Sequence, residues 1–244
     1  MSDDAPLEIV AGPTFQPRFS DLALTVVLAL VLFIVPIALY ELLVGDVPYF
    51  GQGDLTQGAV LVAVALEAAA LVGAVYGAVL LRRRIGWRDF GLRPVDSRWL
   101  IAAAVIGLGC VLLLTLIVAG TQIALDRPIT SPQAGMIAPE GFSWIGLLLM
   151  VPLGGFAVPL AEELIFRGLL YRWLRRHASV TASAVLSALL FGAVHGQPEV
   201  VAGGFVVGIV LALVYERSRS LWPPIIIHTV QNSVSIVLMY LSVA

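Results

Sequence analysis

The chain has 244 residues, 59% of them hydrophobic and only 12% charged, with a mean hydropathy of +0.98. Soluble domains carry about 25% charged residues and under about 50% apolar ones, so the composition excludes a soluble protein and calls for a bilayer. A net charge of −2 says little about partners, no block of like charge points to nucleic acid, and the single cysteine, Cys110, excludes an intrachain disulfide.

Residues 1–20 are aperiodic and rich in Pro and Asp, which predicts a disordered cytoplasmic tail. They do not read as a signal peptide, because Asp3, Asp4 and Glu8 outnumber Arg18 and the following apolar run is too long. A bilayer core takes about 20 apolar residues per helix. Spans are expected at 22–43, 57–81, 99–123, 143–160, 180–196, 200–215 and 221–243. Pro152, Gly154, Gly155 and Pro159 predict a break, after which an amphipathic helix covers about 161–177. The expected fold is thus all-α, a polytopic transmembrane bundle of seven to eight helices. It divides into the tail 1–20, N-terminal transmembrane helices 21–139 and a core 140–244.

Arginine placement orients the bundle. With a cytoplasmic N-terminus, Arg18, six arginines in 82–98, four in 167–176, Arg217 and Arg219 fall inside, and Arg127 alone falls outside. The segments 82–98 and 161–178 are then expected in the cytoplasm, and 44–56 and 124–142 outside. Trp99, Trp144 and Trp222 sit near span ends, as interface anchors do. Small residues recur every fourth position in Ala65/Ala69/Gly73/Gly77, Ala184/Ala188/Gly192 and Gly204/Gly208/Ala212, ridges that let helices approach closely. No internal repeat supports a transporter built from inverted halves.

Ionisable groups at bilayer depth cost about 2.5–3.5 kcal/mol each on insertion scales. The residues needing an explanation are Glu67, Glu162, Glu163, His195, His228 and the amide Asn232. On a helix Arg167 lies about 40° from Glu163 and about 140° from Glu162, so Glu163 has a neutralising partner and Glu162 does not. Both carboxylates are expected in the first turn of the helix that opens after Pro159, where its dipole favours anions. Ser187, Phe191 and His195 share a helix face, and so do His228 and Asn232, which must look inward. Glu67 reads as a protonated or hydrogen-bonded packing residue and His177 as a surface residue. There is no H-E-x-x-H zinc helix and no G-x-S-x-G elbow. "GQGD" at 51–54 lies in a loop without a second intramembrane aspartate, so no carboxyl dyad can form.

Together "EELIFR" (Glu162, Glu163, Arg167), "FGAVH" (Phe191, His195) and "HTVQN" (His228, Asn232) resemble the motifs E-E-x-x-x-R, F-x-x-x-H and H-x-x-x-[NDB] of the CAAX protease and bacteriocin-processing family, also called CPBP or Abi. The resemblance covers about residues 140–243. "DFGLRP" at 89–94 is similar to a short element that precedes the core in bacterial members. It implies an intramembrane endopeptidase in a bacterial plasma membrane, acting on a peptide or lipidated protein substrate. By resemblance Glu162 and His195 activate water, and His228 and Asn232 stabilise the oxyanion. Glu163, Arg167 and Phe191 support the site. Members of the family are often called metalloproteases, and Glu162, His195 and His228 are the set that would bind a divalent metal such as zinc. The alternative is a non-enzymatic immunity protein that binds a bacteriocin in the membrane.

Overall fold

The computed structural model describes residues 15–44, 56–129, 131 and 133–244. Among these residues the chain is helical throughout and forms no strand. The helices are α1 (Phe19–Val44), α2 (Gln57–Leu81), α3 (Trp87–Phe90), α4 (Ser97–Ala124), α5 (Ala134–Ile137), α6 (Trp144–Leu174), α7 (Val180–Ala193), α8 (Pro198–Ser218) and α9 (Trp222–Ser242). Six of them, α1, α2, α4, α6, α8 and α9, are long and apolar enough to cross a bilayer. The protein is an integral membrane protein.

Two expectations change. The helix containing Glu162 is not a separate element opening after a break. It belongs to α6, which runs unbroken for 31 residues. A π-helical turn at Leu153–Ala157 absorbs the disruption expected at Pro152 and Pro159, and a second follows at Phe166–Tyr171. A π turn widens the coil locally and accommodates a missing N–H without ending the helix. Glu162 therefore lies twelve residues before Leu174, about 18 Å along the axis, deep in the helix and away from any dipolar terminus. The segment 161–178 is accordingly a membrane helix as far as Leu174, not a loop. The span expected at 180–196 also shortens. α7 has 14 residues, about 21 Å, against a hydrocarbon core of about 30 Å.

The expected tail is corrected at its end, since residues 15–20 lie against the bundle. Phe15 is buried, stacks on Phe90 at 5.8 Å, and lies under the Arg172 guanidinium, while Arg176 donates to the Pro17 carbonyl at 3.0 Å. Residues 1–14 and the "GQGD" stretch fall outside the described residues.

α1 is peripheral. Only 6% of its membrane window is buried, and Leu24, Val27, Leu30 and Ile34 are exposed where lipid would be. It is held by Gly73 and Gly77 of α2, whose hydrogens face Leu32 and Leu28, and by buried Asp21, which binds Arg82 and Arg83. The inner bundle is α2, α4, α6, α8 and α9, with α7 against α8. There the other small-residue ridges meet. A Cβ at Gly192 would lie 2.6 Å from the Val201 carbonyl, and one at Gly208 2.9 Å from the Ala188 Cβ.

The "DFGLRP" element has a clear physical task. Gly91, at φ 140°, turns the chain so that its carbonyl accepts from Leu221 N–H at 3.0 Å. Ser220 Oγ donates to the Arg93 carbonyl at 2.6 Å, and Arg172 donates to that of Phe90. These bonds tie the ends of α6, α8 and α9 together on one side. That side also carries the arginine-rich termini, whereas Arg127 at the opposite end pairs with buried Glu199 at 3.3 Å.

Candidate active site

Three elements bring the motif residues together. α6 supplies Glu162, Glu163 and Arg167. α7 supplies Phe191, with His195 in the turn beyond it, and α9 supplies His228 and Asn232.

Glu163 and Arg167 are both fully buried and form an ion pair at 2.6 Å. The second guanidinium nitrogen of Arg167 donates to the Gly208 carbonyl at 3.0 Å, and the group lies 4.7 Å from the Phe191 ring centroid. A charge taken out of water needs such partners, and here the arginine joins α6, α7 and α8. The same oxygen of Glu163 faces His228 Nδ1 at 3.1 Å. Glu162, on the adjacent face of α6, presents its carboxylate to His228 Nε2 at 3.5 Å and keeps 13% of its side chain accessible. One carboxylate is thus consumed by an ion pair while its neighbour keeps an open edge.

Phe191 is the hub. Its ring meets those of Phe166, His195 and His228 edge-on, at 5.1, 5.3 and 5.4 Å. His195 Nδ1 lies 2.9 Å from the Phe191 carbonyl. A carbonyl can only accept, so Nδ1 carries the hydrogen and Nε2 is the edge left for chemistry.

Asn232 owes its position to Pro159. A proline has no N–H for the carbonyls four and five residues earlier, here Gly155 and Gly154. α9 supplies replacements: Asn232 Nδ2 donates to the Gly154 carbonyl at 3.3 Å and Ser233 Oγ to that of Gly155 at 3.4 Å. Gly155 permits this approach, since a Cβ there would lie 2.5 Å from Ser233 Oγ. One Asn232 N–H remains unused by this contact.

Glu162, His195 and His228 do not fit a metal-ligand set. Both ring nitrogens of His228 are turned to carboxylates, one of which is shared with Arg167. No group of three or more His, Cys, Asp or Glu among the described residues is placed to hold a metal ion.

Glu162, Glu163, Arg167 and His228 thus meet directly between the helices, and His195 joins them through the Phe191 ring. Residues 144–234 match the family model described as Type II CAAX prenyl endopeptidase Rce1-like. The matched residues contain all three motifs. It is also 26% identical over 90 residues to "Putative membrane peptidase YdiL" of Bacillus subtilis (strain 168), the match covering 37% of each chain. No solved structure matches the chain.

Proposed function

We propose that the protein is an intramembrane endopeptidase that hydrolyses a peptide bond of a membrane-associated or lipidated substrate. Water held between Glu162 and His195 loses a proton to this pair as its oxygen adds to the scissile carbonyl. The pair then returns the proton to the departing amine. The Nε2 edge of His228, 3.5 Å from Glu162 and not hydrogen-bonded to it, and the Asn232 N–H not given to Gly154 supply hydrogen-bond donors to the oxyanion, contributions worth about 2.7–4 kcal/mol each in comparable sites. Glu163, Arg167 and Phe191 hold these groups in place, and no step is assigned to a metal.

The observation that carries this reading is the unequal fate of two adjacent carboxylates. Glu163 is fully buried in its pair with Arg167, whereas Glu162 keeps an accessible edge against His228 Nε2. A purely structural motif gives no reason to leave a carboxylate half-satisfied at bilayer depth. The arginine-rich side carrying Arg18, Arg82 and Arg176 would face the cytoplasm, with the N-terminus, in a bacterial plasma membrane.

The test is cleavage by the reconstituted protein of fluorescent hydrophobic peptides with and without a prenylated cysteine, with the products identified by mass. Cleavage at one bond supports the proposal, and greater cleavage of the prenylated peptide assigns a lipidated substrate. A folded protein that cleaves neither peptide would favour a binding role, such as bacteriocin immunity.

A further inference from the structure

On the arginine-rich side, Phe15, Pro17 and the last turns of α6 and α8 enclose a cleft of about 240 Å³, well above the ~30 Å³ that one liquid water takes. It is separate from the motif site, since its lining on α6 begins at Tyr171, more than two turns beyond Glu162. Four arginines line it, Arg172, Arg175, Arg176 and Arg219, against one carboxylate, Glu216.

That carboxylate is already committed. It accepts from the Tyr171 hydroxyl at 2.9 Å and pairs with Arg175 at 3.3 Å and Arg219 at 3.1 Å. Arg172 and Arg176 donate instead to backbone carbonyls, those of Phe90 and Pro17. A carbonyl accepts a hydrogen bond but supplies no counter-charge, and a guanidinium has five N–H donors to place. Among the described residues no ion pair reaches either group. The walls are set without a ligand: Tyr171 is fully buried and meets Tyr215 edge-on at 5.8 Å, and Phe15 is held between Phe90 and Arg172. A cleft ordered in advance loses little freedom on binding.

Its level in the bilayer narrows the ligand. The apolar span of α6 ends at Leu174, α8 ends at Ser218 and α1 starts at Phe19, so the cleft lies where lipid head groups lie. Phe19, 63% exposed, and Trp173 meet beside it at 5.8 Å, as aromatic rings do at that depth. Beyond Phe19, exposed Leu24, Val27 and Leu30 of α1 offer apolar surface to acyl chains.

We propose that this cleft binds the phosphate of an anionic phospholipid, with Arg172 and Arg176 donating to its oxygens and the acyl chains lying along α1. The planar guanidinium fork suits two phosphate oxygens at once, and basic pockets between membrane helices select such head groups. A free phosphate shares the charge but has no use for the apolar flank. The bound lipid ties residues 15–17 to the ends of α6 and α8. No cleavage step enters, so a protein without turnover would still show this site.

The test is native mass spectrometry of the full chain, purified in zwitterionic detergent and offered phosphatidylglycerol and phosphatidylcholine in equal amounts. Thermal unfolding with each lipid and with inorganic phosphate accompanies it. Wild type should retain one phosphatidylglycerol in preference to phosphatidylcholine and should unfold at a higher temperature with it. Arg172→Gln/Arg176→Gln should weaken that binding by about 30-fold, the loss expected for two arginines at an anionic surface. Arg98→Gln/Arg217→Gln, which removes two exposed arginines outside the cleft, should keep wild-type binding. If the first pair fails to fold by circular dichroism, exposed Arg176→Gln alone should still cost about 5-fold. Equal retention of the two lipids by wild type overturns the proposal without any variant. An equal loss in both arginine pairs also overturns it, by assigning the binding to general surface charge. So does inorganic phosphate raising the unfolding temperature as much as phosphatidylglycerol, which would assign a soluble anion.

Discussion

His228 Nε2 lies 3.5 Å from Glu162 Oε2, which joins the last helix of the bundle to the one motif carboxylate that has no arginine. His228 is thereby fixed by α6 on both ring edges, since its Nδ1 faces Glu163 at 3.1 Å. Substitution at either glutamate must disturb the imidazole, but by different routes.

Glu163→Gln should act through stability. It leaves Arg167, fully buried, without its counter-charge, and breaking a buried pair from one side costs about 3–5 kcal/mol. Pairing it with Arg167→Met should recover much of the loss. Thermal unfolding in detergent of the two single variants and the double variant checks this. Equal midpoints for wild type and Glu163→Gln would refute it.

Asn232 separates donor from ligand chemistry. Asn232→Asp removes the N–H given to the Gly154 carbonyl and sets a carboxylate against both that carbonyl and a developing oxyanion. The expected loss in kcat is on the order of 10²–10³, at least as large as for Asn232→Ala. A near-wild-type Asp variant that carries one equivalent of zinc by elemental analysis would reverse the assignment.

The α7–α8 contact sets the position of His195. Gly192→Ala places a methyl group 2.6 Å from the Val201 carbonyl, and backbone cannot retreat as a flexible side chain can. Such overpacking costs about 1–3 kcal/mol, and activity should fall as α7 shifts. Gly109→Ala, with nothing within 4 Å of the new carbon, should be neutral or slightly stabilising in its helix. Unfolding midpoints and kcat for the two variants should diverge accordingly.

Orientation can be read by labelling. Gly135, exposed between α4 and α6 on the Arg127 side, should react as a cysteine with an impermeant maleimide added to intact cells. The native Cys110 is buried and should stay silent. A Gly86→Cys variant should react only after permeabilisation. The reverse pattern would invert the topology.

Much of this was legible in the sequence because membrane physics leaves few options. The apolar runs mark the spans, and the i,i+4 relation between Glu163 and Arg167 foretells their ion pair. The facing ridges of α7 and α8 follow from glycine and alanine spacing alone. The motif resemblance agrees with the match of residues 144–234 to the Rce1-like family model. What the sequence hid were effects of tertiary context. Pro152 and Pro159 read as a helix break, yet side chains of α9 satisfy the carbonyls that Pro159 leaves open, so α6 continues.

The most direct test of the account is kcat for purified wild type and Glu162→Gln on one hydrophobic or lipidated peptide, with the fold of both checked by circular dichroism. The isosteric amide keeps the shape of the site and removes the base. The account predicts a folded Glu162→Gln protein whose turnover is at least about 10²-fold below wild type. A folded Glu162→Gln protein that cleaves at the wild-type rate would contradict it.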